Sequence, residues 1–153
     1  YGNVSSWGYA VAGLECYYNS NPTISGCTFA KNWGHHISCS DASPTIEYCI
    51  LAFSEAGVPV SCKQGTETPT IHHCFVYGNA DADTLCGGNY NDIVNSDPRF
   101  CDMFSGDLSL CENSPCIAGA TWTSQVGAQG EGCAPCGSPV RPESWGAIKA
   151  IYH

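Results

Sequence analysis

Apolar and polar positions along this chain recur with a period of a little over twenty residues. Pro22 to Phe29 reads P-T-I-S-G-C-T-F, Pro44 to Leu51 reads P-T-I-E-Y-C-I-L, and Pro69 to Val76 reads P-T-I-H-H-C-F-V. The unit returns after 22 and then 25 residues. Asn32, Ser54 and Asn79 follow each unit at the same offset, so the frame is P-T-I-x-x-C-x-φ-x-x-N/S, with φ apolar. A second series, Cys16, Cys39, Cys62 and Cys86, runs in phase at spacings of 23, 23 and 24. Leu14, Ile37, Val60 and Thr84 stand two positions before its members. Apolar-x-Cys is a period-2 strand fragment. Each repeat is therefore predicted to hold two short strands about ten residues apart, separated by turns rich in Asn, Ser, Gly and Pro.

Helical repeats are excluded by the Pro in every unit and by the lack of Ala, Leu, Glu and Lys runs. A leucine-rich frame is absent. The pattern fits a parallel β-solenoid in which each repeat makes one turn and stacks on the last at about 4.8 Å. Ile24, Ile46 and Ile71 are predicted to form one internal column, and Phe29, Leu51 and Val76 another. One coil cannot bury its own apolar side, but stacked coils bury each other's. Roughly four coils give a rod about 20 Å tall. Asn32, Ser54 and Asn79 fall at a turn, where an inward Asn satisfies backbone groups of the bend.

Composition narrows the function. The 153 residues hold 5 Lys plus Arg against 14 Asp plus Glu, a formal charge of −9. This argues against nucleic acid or an anionic membrane surface as partner. No apolar run is long enough to span a bilayer as a helix. Twelve cysteines in a charge-poor chain suggest an extracellular setting. The chain opens at Tyr1 without a signal-like segment, which reads as a processed protein or a piece of a longer one.

The repeated segments 19–32, 41–54 and 66–79 resemble the right-handed parallel β-helix repeats of secreted bacterial surface proteins. The stretches N-D-I-V-N-S-D-P-R-F from Asn91, G-D-L-S-L from Gly106 and S-P-C-I-A-G-A from Ser114 are similar to phrases that close such helices. The resemblance covers about residues 10–130. It implies a fold more than a function, since the family includes polysaccharide lyases, adhesins and surface proteins of unknown role. The ending W-G-A-I-K-A-I-Y from Trp145 resembles tails of cell-surface β-helix proteins.

Equivalent residues on adjacent coils are close enough for a disulfide. Cys16–Cys39, Cys62–Cys86 and Cys27–Cys49 are feasible, and so are Cys39–Cys62 and Cys49–Cys74. Spacing permits pairing without choosing the pairs, and a free buried Cys also packs as a small hydrophobe. Cys101, Cys111, Cys116, Cys133 and Cys136 lie outside the two series. Cys101 and Cys111 flank a predicted hairpin or tight loop. Cys133 and Cys136 form a C-x-x-C pair without the context of a redox or haem site, and four thiolates would also suit zinc. The expectation is that all twelve cysteines serve as structural disulfides, with no cofactor.

No catalytic constellation emerges. His35, His36, His72, His73 and His153 read as turn or outward surface residues. Asp81 and Asp83 are the closest local acid pair and read as a solvated loop; the other carboxylates are scattered, and an enzyme is not expected. Outward aromatics are the better candidates for contact: Trp33, Tyr48 and His73 are possible ligand-facing residues, with Tyr48 and His73 at one repeat position. The ends suggest assembly. Tyr1, Trp7 and Tyr9 belong to an incomplete first coil, and Trp145, Ile148, Ile151 and Tyr152 to a short C-terminal helix able to dock on the solenoid or a neighbour. The sequence thus predicts an all-β, right-handed parallel β-helix of about four coils over 1–100, a disulfide-rich closing region over 101–136, and a tail with a short helix over 137–153. The expected role is an extracellular structural protein assembling with copies of itself. A carbohydrate-binding or adhesin module with surface glycans as ligands is the alternative, and a polysaccharide lyase or hydrolase a more remote one. No membrane insertion is expected.

Overall fold

The computed structural model describes residues 12–137. The first coil is built from β1 (Leu14–Tyr17), β2 (Thr23–Ser25) and β3 (Thr28–Ala30), and the second from β4 (Ile37–Ser40), β5 (Thr45–Glu47) and β6 (Ile50–Ala52). The third has β7 (Val60–Cys62) and a long β8 (Thr70–Tyr77). A partial fourth consists of an isolated bridge from Val60 to Leu85 and of β9 (Asn89–Val94), which pairs with β8. All these pairings are parallel. A coil therefore carries three strand positions where the sequence pattern indicated two. The P-T-I-x-x-C-x-φ unit bends in the middle, at Gly26, Tyr48 and His73, whose φ values are 61°, 50° and 52°. β8 alone runs through the bend without a break.

Register follows the sequence columns. Leu14, Ile37 and Val60 are in line, as are Ile24, Ile46 and Ile71, and Phe29, Leu51 and Val76. These residues and the inward cysteines form the coil interior, with Ile37, Ile46, Leu51, Val60, Ile71 and Val76 fully buried. In the fourth coil Leu85, not Thr84, continues the Leu14 column, so the apolar residue there is adjacent to Cys86 instead of two positions away. Asn32, Ser54 and Asn79 are buried at the turn. Asn79 Nδ2 donates to Leu51 O at 3.0 Å, and its Oδ1 accepts from the Ser54 N–H at 3.0 Å. Asn95 does the same in the next coil, donating to Val76 O at 3.0 Å.

The second and third coils are apolar on both sides of one wall. Ile50, Ala52 and Phe75 alternate with the inward residues and point outward, yet are fully buried. They are covered by the chain after the coils. There β10 (Phe100–Asp102) and β11 (Asp107–Cys111) form an antiparallel hairpin, and β12 (Glu131–Cys133) pairs in parallel with β11. Phe100, Leu110, Cys116 and Val126 pack on the outer face. The covering segment then crosses the wall as a strap: Gly127 N–H donates to Tyr48 O at 2.8 Å and Ala128 N–H to Thr28 Oγ1 at 3.0 Å.

Two expectations need correction. Among the described residues every regular element is a strand and none is a helix, so the chain is all-β as far as it is described and the short C-terminal helix does not belong to the fold seen here. The segment 145–152, where that helix was expected, lies outside the described residues. Cys16, Cys27, Cys39, Cys49, Cys74 and Cys116 are thiols, not half-cystines. The inward stack gives their S–H groups backbone acceptors: Cys49 Sγ donates to Glu47 O at 3.2 Å and Cys74 Sγ to His72 O at 3.2 Å. Burial also pushes the thiols of Cys39 and Cys116 up to about 12, which makes them inert. The three disulfides are Cys62–Cys86, between the third and fourth coils, and Cys101–Cys133 and Cys111–Cys136, which tie the hairpin to the chain around β12.

Candidate functional site

The left-handed bend places one residue from each coil at the same outer corner. Register carries the column from Gly26 through Tyr48 and His73 to Asp92, whose φ is 54°. A residue with positive φ interrupts the alternation of a strand, so its side chain leaves the coil at the corner. Tyr48 and His73 stack there with ring centroids 5.0 Å apart and 25° between planes. Trp122, brought in by the strap, meets His73 edge-on at 5.2 Å and packs on the buried Phe75 at 5.5 Å. Three rings from distant segments of the chain thus line an open recess of about 390 Å³, closed by Gly119, Thr121 and Thr123. A second recess of similar size shares His73 and is lined by His72, Asn89, Tyr90 and Asn91 among others. His72 Nε2 lies 3.4 Å from Glu47 Oε2, and His73 Nε2 lies 3.6 Å from Asp92 Oδ2.

The recess combines flat apolar ring faces with threonine side chains. Such a surface suits a ligand with both C–H faces and hydroxyl groups. Of the ligand-facing candidates, the structure brings Tyr48 and His73 together. Trp33 is half exposed at 51% but lies on the turn between β3 and β4 and does not line this recess. Trp122 was missed by sequence reasoning because it lies outside the repeats; its only local signal is a large aromatic between two threonines. The assembly candidates Tyr1, Trp7, Tyr9, Trp145, Ile148, Ile151 and Tyr152 lie outside the described residues.

The remaining histidines and acids have structural partners. His35 Nδ1 accepts from the Val58 N–H at 3.0 Å. His36 is fully buried, against the expectation of a turn or surface position, because Asn32 and Asn79 hold both its nitrogens, at 2.9 and 2.8 Å. Burial lowers its pKa to about 4. Asp83 accepts from the N–H groups of Gly78 and Asn79, and Asp81 from that of Gly57. These acids shape turns instead of facing a common ligand. The buried Glu67 accepts from the N–H groups of Asp41, Gln64 and Thr66, each at 3.1 Å. Burial alone would raise its pKa, but these hydrogen bonds outweigh that and hold it below the usual range. The sulfurs of Cys101, Cys111 and Cys133 lie within 4.8 Å of one another, but each is half of a disulfide and supplies no thiolate to a metal.

Among curated proteins and solved structures, none matches this chain. The family model described as a right handed beta helix region matches residues 3–97, more than half of the 153 residues. With its stacked parallel coils and its Ile and Cys columns, the chain belongs to the right-handed β-helix family.

Proposed function

We propose that this protein is a non-catalytic carbohydrate-binding module of the adhesin type, working outside the cell, which holds a sugar against the Tyr48–His73–Trp122 corner. The observation that carries this reading is the convergence of three rings, 5.0 and 5.2 Å apart, on one open recess rimmed by threonines. A pyranose ring presents a C–H face that lies on an aromatic ring, while its hydroxyls bond to nearby polar groups. The rigid coil stack holds two of the rings in place and the strap the third, which lowers the ordering cost of binding. Disulfides and a charge of −9 support an extracellular setting and a neutral ligand rather than a polyanion.

A glycan array probed with the whole chain tests this. Tyr48→Gly is the informative variant, because glycine already occupies the equivalent corner of the first coil at Gly26. Binding to one class of glycan is expected, with at least about tenfold weaker affinity after Tyr48→Gly at unchanged stability, a loss of about 1.4 kcal/mol. An array with no glycan bound above background, or binding by both Tyr48→Gly and Trp122→Ala equal to that of the native chain, overturns the reading.

A further inference from the structure

Two consecutive histidines rarely face each other on a strand, since neighbouring side chains point to opposite sides. In β8 the left-handed bend at His73 removes that alternation. His72 and His73 both sit half-buried on the outer side, and their Nδ1 atoms are 3.0 Å apart. The rings are nearly perpendicular, at 86°. Each outer nitrogen faces a carboxylate, Glu47 for His72 and Asp92 for His73, at 3.4 and 3.6 Å.

A contact of 3.0 Å between two Nδ1 atoms needs something between them. In the metal-free chain a proton on one Nδ1, donated to the other, serves. A metal ion serves equally, since a carboxylate opposite each Nε2 favours the tautomer that keeps the Nδ1 lone pair free. Imidazole nitrogens bind zinc at about 2.0–2.1 Å, so two neighbouring ligands on one ion stand roughly 3 Å apart. Metal-binding histidines also characteristically have their second nitrogen oriented by a carboxylate or carbonyl.

We propose that His72 and His73 form, through their Nδ1 atoms, a two-histidine site for a divalent transition-metal ion that favours imidazole, Cu²⁺ or Zn²⁺, with Glu47 and Asp92 as orienting carboxylates. The two carboxylates balance the charge of the ion, and the chain's net charge of −9 favours its approach. The rings are partly open to solvent, 27% exposed for each side chain, so water completes the coordination. Binding of the metal requires no sugar and stands apart from the carbohydrate reading.

The test is a calorimetric titration of the whole chain with Cu²⁺ and with Zn²⁺ alone, without sugar, beside the double variant His72→Asn/His73→Asn. Asparagine tolerates the left-handed backbone at position 73, and the variant retains every thiol and His153 as background. One saturable equivalent is expected in the native chain and none beyond background in the double variant. Glu47→Gln/Asp92→Asn is expected to weaken binding ten- to a hundredfold. Electron paramagnetic resonance of the Cu²⁺-loaded native chain checks the ligands independently of any variant's folding, and two equatorial nitrogens are expected. Equal binding by the native chain and the histidine variant, or a Cu²⁺ spectrum without nitrogen coupling, overturns the proposal. Unchanged affinity in the carboxylate variant removes Glu47 and Asp92 from it.

Discussion

His36 in the first-to-second coil turn donates from Nε2 to the side-chain oxygen of Asn79, two turns further on, at 2.8 Å. The direction is set by the network. Asn79 Nδ2 is already donating to Leu51 O, so its Oδ1 is the atom that accepts. On the other side of the ring, Asn32 Nδ2 donates to His36 Nδ1 at 2.9 Å, which fixes the neutral tautomer with its proton on Nε2.

Acid is therefore expected to weaken the fold well above the carboxylate range. The unfolded chain takes up the His36 proton near 6.5 and the folded chain only near 4. Between these values the unfolded state holds more protons, so stability is complete above pH 6.5 and falls as pH drops towards 4, by about 3 kcal/mol in all. Glu67, whose pKa is lowered, adds a second loss as the carboxyl protonates below its ordinary value of 4.5. Urea denaturation across this range measures both. His36→Gln is expected to flatten the upper portion of the profile and Glu67→Gln the lower; an unchanged upper profile in His36→Gln removes the buried neutral histidine from the explanation.

The corner column predicts an unusual ranking of substitutions at Tyr48. With φ at 50°, glycine and asparagine suit the backbone, whereas a β-branched residue does not. Tyr48→Val is expected to cost about 1–2 kcal/mol more than Tyr48→Gly, even though valine is the better strand former. Thermal unfolding of the two variants decides it, and the reverse order would mean that strand propensity and side-chain bulk, not the left-handed backbone, govern this position.

Gly127 is expected to tolerate no side chain. A Cβ there would stand 2.6 Å from both Ile50 Cδ1 and Thr28 Oγ1, on a backbone with φ at 86°. Gly127→Ala should cost about 2–4 kcal/mol from the combined clash and left-handed strain. Because the strap carries Trp122, the same variant should change the Trp fluorescence before global unfolding; a variant as stable as the native chain would mean the strap does not lie this close.

Thiol chemistry separates the cysteines into classes. Alkylation of the native chain is expected to spare the buried Cys16, Cys39, Cys49, Cys74 and Cys116, with the half-buried Cys27 reacting first, and all six should react after denaturation without reductant. Peptide mapping should recover Cys62–Cys86, Cys101–Cys133 and Cys111–Cys136. Replacing Cys62 and Cys86 together by serine opens a link of 24-residue separation, with an expected loss of about 3 kcal/mol. Additional disulfides in the map would place the coil columns in an oxidised state instead.

The coil interior was legible because its signal is local and repeated: each of Ile24, Ile46 and Ile71 occupies the same place in the same short frame. The extra strand per coil was not, since the bend at Tyr48 and His73 depends on φ, which neither residue type advertises. The inward position of His36 was hidden for a related reason. A polar ring is stable there only because Asn32 and Asn79 meet both its nitrogens, and Asn79 comes 43 residues later. The cysteine series indicated the stacking, but equal spacing in a parallel stack allows several pairings and also none. Two of the three rings of the candidate site were within reach, Tyr48 and His73. Trp122 was not, because its placement rests on a strap whose hydrogen bonds join Gly127 to Tyr48 and Ala128 to Thr28, contacts between segments with no shared repeat.

That strap also counts. It belongs to the segment that leaves the last coil, folds through the hairpin on the outer face and passes Val126, and it is anchored first on the second coil at Tyr48 and then on the first at Thr28. Each coil inserted between these anchors and the last coil would lengthen the wall by about 4.8 Å, while the closing segment would stay the same length. A solenoid of open-ended repeats is in this way held to a set number of turns, and duplication of a repeat would have to be matched by a longer closing segment before the outer face of Ile50 and Phe75 could be covered again.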